Sequence, residues 1–381
     1  MRHLHLNIVP IIVPNTEMLV GVLPFDDKDG LRELRSKYVR THVFKRAREK
    51  DAEVIYSVAL DGKECAFAKD HRIMRADENF GIVRNLVEEY LVRSFSGKRE
   101  LLGYSPLEVL AREGDKDQDY LMRAAQGLSG PSWLCARLSH QIEARRFCFE
   151  KQAPFLGLVL NQRTYKRISR SCAELIGDGV DIVGLYVVSR VPRNDDRFAP
   201  QLRLVGRVEE IKGTVLHLSD YRDAQSTIEA KDAFPEANPG GFFRCLRNAF
   251  GAKAESIDDR LYDIQSATRG GASTLGEIAR VGEKLASKPM ELLPNLNVTL
   301  GSHLNDRKGT FPFVKQCSPA LLVFDPTLAK PATSNKLQLL TSGPYSQRGF
   351  SPSKPRICVV CQRGRKGEVE QWACLEKVDT I

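Results

Sequence analysis

Short apolar segments separated by turn residues occupy the middle of this 381-residue chain and restrict its fold more than any other feature. Phe155–Leu160 and Asp181–Val188 each have the length and apolar content of a buried strand. Leu202–Glu210 and Thr214–Ser219 predict a hairpin that turns at Lys212-Gly213. Because Thr164–Ile176 has helical spacing, residues 151–250 are predicted to form a small β-barrel with an inserted helix.

The residues before this segment mix strand and helix patterns. Ala52–Leu60 and Lys63–Lys69 predict a hairpin joined at Asp61-Gly62, and Asn79–Val92 predicts a helix. Leu6–Val13 predicts a leading strand rather than a signal peptide, because Pro10 interrupts it and no small-residue cleavage site follows. Residues 1–100 are therefore predicted to form a small α+β domain.

Two further stretches are predicted to connect these parts. In residues 101–150, Tyr104-Ser105-Pro106 predicts a helix start and Trp133–Phe149 has near-helical spacing of apolar residues. In residues 251–345, a loop at Gly270-Gly271 precedes a predicted helix over Thr274–Ala286, capped by Ser273 or Thr274. The predicted fold class is α+β multidomain, with helical and extended linkers between the domains.

The charge balance favours a polyanionic partner. The formal net charge is +9 and the isoelectric point about 9.0, although residues of both signs make up 28% of the chain. A basic solvated surface is the alternative interpretation. No apolar stretch has the length of a membrane helix, and nine scattered cysteines indicate reduced thiols, so we expect a cytoplasmic protein.

Three basic clusters are candidates for binding phosphates. Between Leu31 and Lys50 there are eight basic residues against two acidic ones, an excess of six. The second cluster follows one face of the predicted inserted helix, where a tyrosine is available to stack on a base. For both, an ordinary solvated helix face is an equal alternative. The candidate nucleic-acid-binding residues are Lys45, Arg46 and Arg48; Arg163, Tyr165, Lys166, Arg167 and Arg170; and Arg348, Lys354 and Arg356.

No catalytic, metal or cofactor site is predicted. Asp26-Asp27 and Asp195-Asp196 are adjacent carboxylates beside turns, which are typical of solvated loop tips. Cys358 and Cys361 have the spacing of half a zinc site, without a second pair of ligands nearby.

Several segments together resemble the long prokaryotic Argonaute proteins. Pro154–Leu160 and Gly177–Val187 resemble the PAZ region, and Pro294–Leu300 with Ala320–Asp325 resemble the second linker. Ser342–Phe350 and Ser353–Cys361 resemble the entry into the MID domain. The segments follow the family order, which is the main argument because each alone is a weak pattern.

The resemblance implies an amino-terminal domain (1–100), a first linker (101–150), a PAZ-like domain (151–250), a second linker (251–345) and the start of MID (346–381). It implies partners: a short guide RNA or DNA and its complementary strand, with no membrane. The MID pocket and the PIWI carboxylates would lie beyond Ile381, so we expect a truncated, non-catalytic chain. The alternative is one half of a split Argonaute that acts with a separately encoded MID-PIWI protein.

Overall fold

The computed structural model describes residues 6–49, 52–149, 153–221, 225–304, 322–323 and 331–332. The chain divides into two compact units, Met1–Asn305 and Asp306–Ile381. In the second unit, Leu322–Val323 pairs with Pro331–Ala332 in an antiparallel ribbon. The third basic cluster, the two cysteines Cys358 and Cys361 and the predicted start of MID all lie outside the described residues.

The helices and strands of the first unit alternate along the chain. In order they are β1 (Ile8–Ile12), β2 (Glu17–Pro24), α1 (Lys28–Lys37), β3 (His42–Glu49), β4 (Ala52–Ala59), β5 (Asp70–Arg75), α2 (Phe80–Phe95), β6 (Leu101–Tyr104), β7 (Leu107–Leu110), α3 (Tyr120–Ala125), β8 (Leu134–Phe147), β9 (Phe155–Ile168), α4 (Cys172–Gly177), β10 (Tyr186–Val191), β11 (Gln201–Lys212), β12 (Val215–Ser219), β13 (Thr227–Glu229), β14 (Ala233–Pro235), α5 (Pro239–Phe250), α6 (Ala254–Thr268), α7 (Gly271–Ala286), β15 (Met290–Leu293) and β16 (Leu296–Leu300).

A four-stranded antiparallel sheet in the order β3-β4-β2-β5 lies near the amino terminus. The predicted strand Ala52–Leu60 and the predicted helix Asn79–Val92 are confirmed as β4 and α2. The predicted strand Lys63–Lys69 is wrong, because the chain turns there and β5 follows it. Phe67, one of the apolar residues on which that prediction depended, instead stacks on Tyr38 with 4.4 Å between the ring centroids. Cys65 is buried beside Ser57.

A seven-stranded sheet in the order β15-β16-β1-β9-β8-β7-β6 forms the centre of the unit. Its longest pair is β8 with β9, which are antiparallel from Leu134↔Ile168 to Phe147↔Phe155. α2 packs against this sheet, and its buried residues include Leu86 and Leu91. The boundary predicted at residue 150, between the first linker and the PAZ-like domain, falls between these two paired strands, which belong to one sheet.

The helical patterns predicted over Trp133–Phe149 and Thr164–Ile176 are wrong, because a repeat of four residues fits a strand as well as a helix. Leu134, Leu138 and Ile142 are buried on one face of β8, where the four-residue spacing equals two strand periods. Thr164–Ile176 is likewise mostly extended: β9 continues to Ile168, and only the short helix α4 follows. The long inserted helix predicted at Thr164–Ile176 is therefore not formed.

A five-stranded antiparallel sheet in the order β13-β12-β11-β10-β14 carries the second large core. The hairpin predicted at Lys212-Gly213 is confirmed as β11 and β12, and Gly213 has a φ of +60°, which favours glycine. α4, α5 and α6 pack on this part of the unit, with Phe242 and Leu261 fully buried.

Two predictions about helix starts are also wrong. Ser105-Pro106 lies in the turn between β6 and β7 rather than at the start of a helix. α7 begins after Gly270 and has no side-chain cap, because the Thr274 hydroxyl donates to the Thr268 carbonyl instead. None of the described helices combines the length and the apolar character that crossing a membrane requires.

Candidate nucleic-acid interface

The second basic cluster lies on strand β9, so its members alternate between two faces of the sheet. Arg163, Tyr165 and Arg167 share one face, and Lys166 points to the other. Arg170 follows the strand, in the turn before α4. The structure therefore does not place the four cations on one face.

The arginines of this cluster are bound to carboxylates. Nε of Arg163 donates to Oε1 of Glu108 at 2.7 Å, and Glu108 is buried. Arg167 pairs with Glu100, and Arg170 pairs with Asp178. Because each guanidinium already has an anionic partner, a phosphate must compete with that partner at all three positions. Arg163 retains 51% side-chain exposure and is the most accessible of the three.

Tyr165 and Lys166 are partly enclosed by protein. Burial raises the pKa of the Tyr165 hydroxyl. The ammonium of Lys166 lies 4.8 Å from the ring centroid of Phe242, and burial lowers the pKa of Lys166 while Asp258 opposes that shift. Both side chains serve the packing of β9 in this conformation.

The first basic cluster is divided between the two faces of β3. Arg46 pairs with Glu53 and lies 4.1 Å from the ring centroid of Phe25. Arg48 shares that face and is exposed. Lys45 points to the opposite face, where its side chain approaches Gly81 at the start of α2. Of the three predicted residues, only Lys45 therefore lies beside α2.

A cleft of about 660 Å³, called here the Arg193 cleft, lies between α1, β3, α2 and the segment 192–201 that joins β10 to β11. It was not predicted, because its walls come from four distant parts of the chain. Five arginines and three acidic residues line it: Arg32, Arg35, Arg84, Arg193, Arg197, Glu88, Glu89 and Asp195.

A buried ion network holds segment 192–201 against α2. Nη2 of Arg197 donates to Asp195 at 2.7 Å and to Glu89 at 3.0 Å, and the side chains of Arg197 and Glu89 are only 8% and 5% exposed. Burial opposes the charge of Arg197, but hydrogen bonds and attraction from both carboxylates outweigh burial, so its pKa lies above its ordinary value. Asp195 therefore has a structural role, whereas Asp196 is the exposed partner of Arg40.

Other cations around this cleft have no carboxylate bound to them among the residues that the structure describes. Arg193 donates only to backbone carbonyls, those of Ala199 at 2.9 Å and Leu102 at 3.0 Å. Arg35 donates to the carbonyl of Phe44 at 3.4 Å. Burial, together with repulsion from Arg84 and Arg35, lowers the pKa of Lys45. Glu88 attracts Lys45 in the opposite sense. Arg35 and Arg193, which line the cleft, and Lys45, which lies near Arg35, form a candidate anion-binding surface because no carboxylate of the described residues is bound to them.

Sequence reasoning missed Arg193. The local segment Arg190-Val191-Pro192-Arg193 has only two basic residues, so it forms no basic cluster of its own. Arg35 was part of the predicted basic run, but its proximity to Arg193 depends on the tertiary fold. The only sequence signal was the local excess of charge around α1 and β3.

No protein-family profile matches the chain. Among curated proteins, it is 31% identical over 206 residues to the Argonaute of Cereibacter sphaeroides, covering 54% of this chain and 26% of that protein. The resemblance to part of a prokaryotic Argonaute is therefore confirmed, and the chain is related to Argonaute proteins. The alignment spans about a quarter of the relative's length.

Solved structures of Argonautes are similar to this chain only at low identity and with TM-scores below 0.5. The Clostridium butyricum Argonaute bound to a guide DNA and a 19-mer target DNA is 12% identical, with a TM-score of 0.45, covering 78% of this chain and 44% of that one. The Aquifex aeolicus Argonaute is 11% identical, with a TM-score of 0.32 and coverage of 70% and 42%. Drosophila Piwi is 10% identical, with a TM-score of 0.29 and coverage of 80% and 43%. The relationship rests on the sequence identity to the curated Argonaute.

Proposed function

We propose that this chain binds a short guide strand or its complementary target through phosphate contacts in the Arg193 cleft, as the strand-binding part of an Argonaute. The observation that carries the proposal is a pair of cleft-lining cations, Arg35 and Arg193, with Lys45 near Arg35, none of them in an ion pair with a described residue. The C. butyricum Argonaute was solved with guide and target DNA, which supports a nucleic acid as the anion.

The cleft suits a sugar-phosphate backbone better than a small anion. Its volume of about 660 Å³ is far larger than a single phosphate needs, and its cations come from three separate elements. The arginines of the second basic cluster, two on β9 and one after it, are neutralised by Glu108, Glu100 and Asp178, so we assign them a structural role. Strand binding without base readout is expected, because phosphate contacts carry no sequence information.

We assign phosphate binding to these residues. The part of the chain that the structure describes has no group of three or more His, Cys, Asp or Glu side chains suited to a metal ion. The PAZ-like part is proposed to comprise the five-stranded sheet with α4, in the position that the family order assigns to it.

The test is the affinity of the purified chain for short single strands and duplexes of DNA and of RNA, measured by fluorescence anisotropy. Arg35→Gln/Lys45→Gln, called the cleft variant, removes one charge that lines the cleft and the charge of Lys45 near it, without changing the buried ion network. Lys212→Gln/Lys253→Gln removes two exposed charges elsewhere and is the matched control. Lys212 is far from the cleft: it lies eleven residues along β11 from the cleft residue Gln201, a distance of roughly 35 Å.

The cleft variant should weaken binding of every sequence by about tenfold or more, since each lost phosphate contact removes a charge-assisted hydrogen bond. The control should bind within about twofold of the unmodified chain, because distant surface charges are screened. Equal weakening in both variants would show that binding follows net charge alone, and the proposal would be rejected. Binding that needs a second polypeptide would favour the split-Argonaute alternative.

A further inference from the structure

A second cleft, called here the α2–α7 cleft, is separate from the Arg193 cleft. It encloses about 270 Å³ between the end of α2, the strands β7 and β8, and α7. Its floor is apolar and partly aromatic, and it is formed by Tyr90, Phe95, Val109, Ile142, Val281 and Leu285. The volume lies just below the range of about 300–1,000 Å³ that is typical of small-molecule sites, so it suits a small ligand or one part of a larger one.

A buried side chain at this cleft has an unused hydrogen-bond acceptor. Gln118 is only 5% exposed and lines the cleft. Its Nε2 donates to Oε1 of Glu277 at 3.0 Å, while its Oε1 accepts no hydrogen bond from any residue that the structure describes. Because buried polar atoms in folded proteins are nearly always satisfied, this oxygen indicates a ligand that brings an N–H or O–H donor.

A second group at the cleft has an unused donor. Nη1 of Arg99 is buried and has no hydrogen-bond partner within the described part of the chain. Burial lowers the pKa of Arg99, and repulsion from Arg112 and Arg280 lowers it further. An acceptor on the ligand would satisfy this nitrogen. The ligand therefore has both a donor and an acceptor, as the hydrogen-bonding edge of a nucleobase does.

The rim of the cleft is cationic. Lys284 lies near the end of α7 and Lys288 shortly after it; both are exposed and line the cleft. Neither has an ion pair with a described residue, whereas Arg280 on the same helix is bound to Glu277 at 2.6 Å. An apolar floor under a positive rim matches a planar base joined to a phosphate.

We propose that the α2–α7 cleft binds a single nucleotide, with the base on the apolar floor, its edge between Gln118 and Arg99, and its phosphate at Lys284 and Lys288. This deepens the proposed function and rests on it for the class of ligand. The nucleotide is either free or part of a bound strand, and the two sources share this chemistry.

The experiment is isothermal titration of the full chain with each of the four ribonucleoside monophosphates and with ribose 5-phosphate, which lacks the base. Gln118→Met removes the unused acceptor and keeps the side-chain length. Lys284→Gln/Lys288→Gln changes only exposed positions. This variant therefore tests the proposed phosphate contacts even if circular dichroism shows that Gln118→Met does not fold. Short single strands with and without abasic sites at their ends distinguish a strand nucleotide from a free one.

At least one monophosphate should bind about tenfold more tightly than ribose 5-phosphate, and each variant should lose about tenfold, the effect of one charge-assisted or buried hydrogen bond. The Arg35→Gln/Lys45→Gln variant should keep mononucleotide binding while it loses strand binding, so the two proposals fail separately. If abasic ends weaken strand binding only in the unmodified chain, the ligand is part of a strand. The proposal is overturned if ribose 5-phosphate binds as well as every monophosphate, or if the lysine variant binds them unchanged.

Discussion

Replacing Arg197 with methionine should destabilise the first unit by removing the centre of its buried ion network. The substitution leaves Glu89, whose side chain is 5% exposed, without the guanidinium that bridges it to Asp195. Arg93 is the other described cation near Glu89, and its Nε is 3.9 Å from that carboxylate. Removing one partner of a buried pair typically costs about 3–5 kcal/mol, because the remaining charge stays desolvated.

The effect should depend on pH in a defined direction. Burial raises the pKa of Glu89, and Arg197 partly opposes that shift. Without Arg197 the folded-state pKa rises further above the unfolded value of about 4.3. A raised carboxyl pKa contributes stability that is present below the unfolded pKa and is lost as pH rises through the folded pKa. The difference between Arg197→Met and the unmodified chain should therefore be smallest below about pH 4.3 and largest at neutral pH.

Thermal unfolding followed by circular dichroism measures both effects. At roughly 2 °C per kcal/mol for a unit of this size, the midpoint at pH 7 should fall by about 6–10 °C. Arg40→Met removes the partner of Asp196 from an exposed pair and should cost less than about 1 kcal/mol. Glu89→Gln added to Arg197→Met should restore part of the loss. Equal midpoints for Arg197→Met and Arg40→Met at pH 7 would refute the reasoning.

Three other predictions concern the same unit. Gly276→Ala, inside α7, should raise the free energy of unfolding by about 0.5–1 kcal/mol, because nothing lies within 4 Å of the added Cβ. Gly241→Ala should lower the free energy of unfolding, because its Cβ would clash with the Glu236 carbonyl oxygen. Denaturant unfolding of both variants compares the signs of the two changes. Although burial opposes it, hydrogen bonds from His140 and Arg280 lower the pKa of Glu277 to about 2. Glu277→Gln should therefore reduce stability by about 1–3 kcal/mol at pH 7, and the gap in thermal midpoint should close as pH falls from about 4 towards 2; a gap independent of pH would contradict this. Burial raises the pKa of the Cys172 and Cys245 thiols to about 12. Mass spectrometry after alkylation at pH 8 should therefore find these two thiols modified only in unfolded chain, whereas the exposed Cys148 should be modified before either of them.

Elements whose apolar spacing fits only a strand or only a helix were predicted correctly from the sequence. The β11–β12 hairpin was predictable because Gly213 marks the turn and both flanking segments alternate. α2 was predictable because apolar residues such as Ile82, Leu86 and Leu91 recur at helical spacing over a long stretch. A spacing of four residues misled the prediction at β8 and β9, because it agrees with both periods. The pairing of β8 with β9, and of β9 with β1 from the start of the chain, decided in favour of the sheet, and a spacing pattern does not display that pairing.

The candidate site was less predictable than the fold. The charge run that contains Arg35 and Lys45 was visible, but the run did not show which cations would be neutralised. Arg46 forms an ion pair with Glu53 across the hairpin, whereas Arg163 forms one with Glu108, which is 55 residues away in the sequence. Arg193 has no local signal, and Asp195 was predicted to be solvated although it is bound to Arg197. Which charges stay free depends on tertiary contacts.

The measurement that tests the central claim most directly is the salt dependence of strand binding by the unmodified chain and by Arg35→Gln/Lys45→Gln. A plot of log affinity against log salt has a slope of roughly −0.7 for each phosphate contacted in a single strand. If both side chains bind phosphates, the variant should show a slope smaller in magnitude by about 1.4, while Lys212→Gln/Lys253→Gln keeps the original slope. A cleft variant with an unchanged slope would contradict the assignment of the Arg193 cleft as the strand-binding surface.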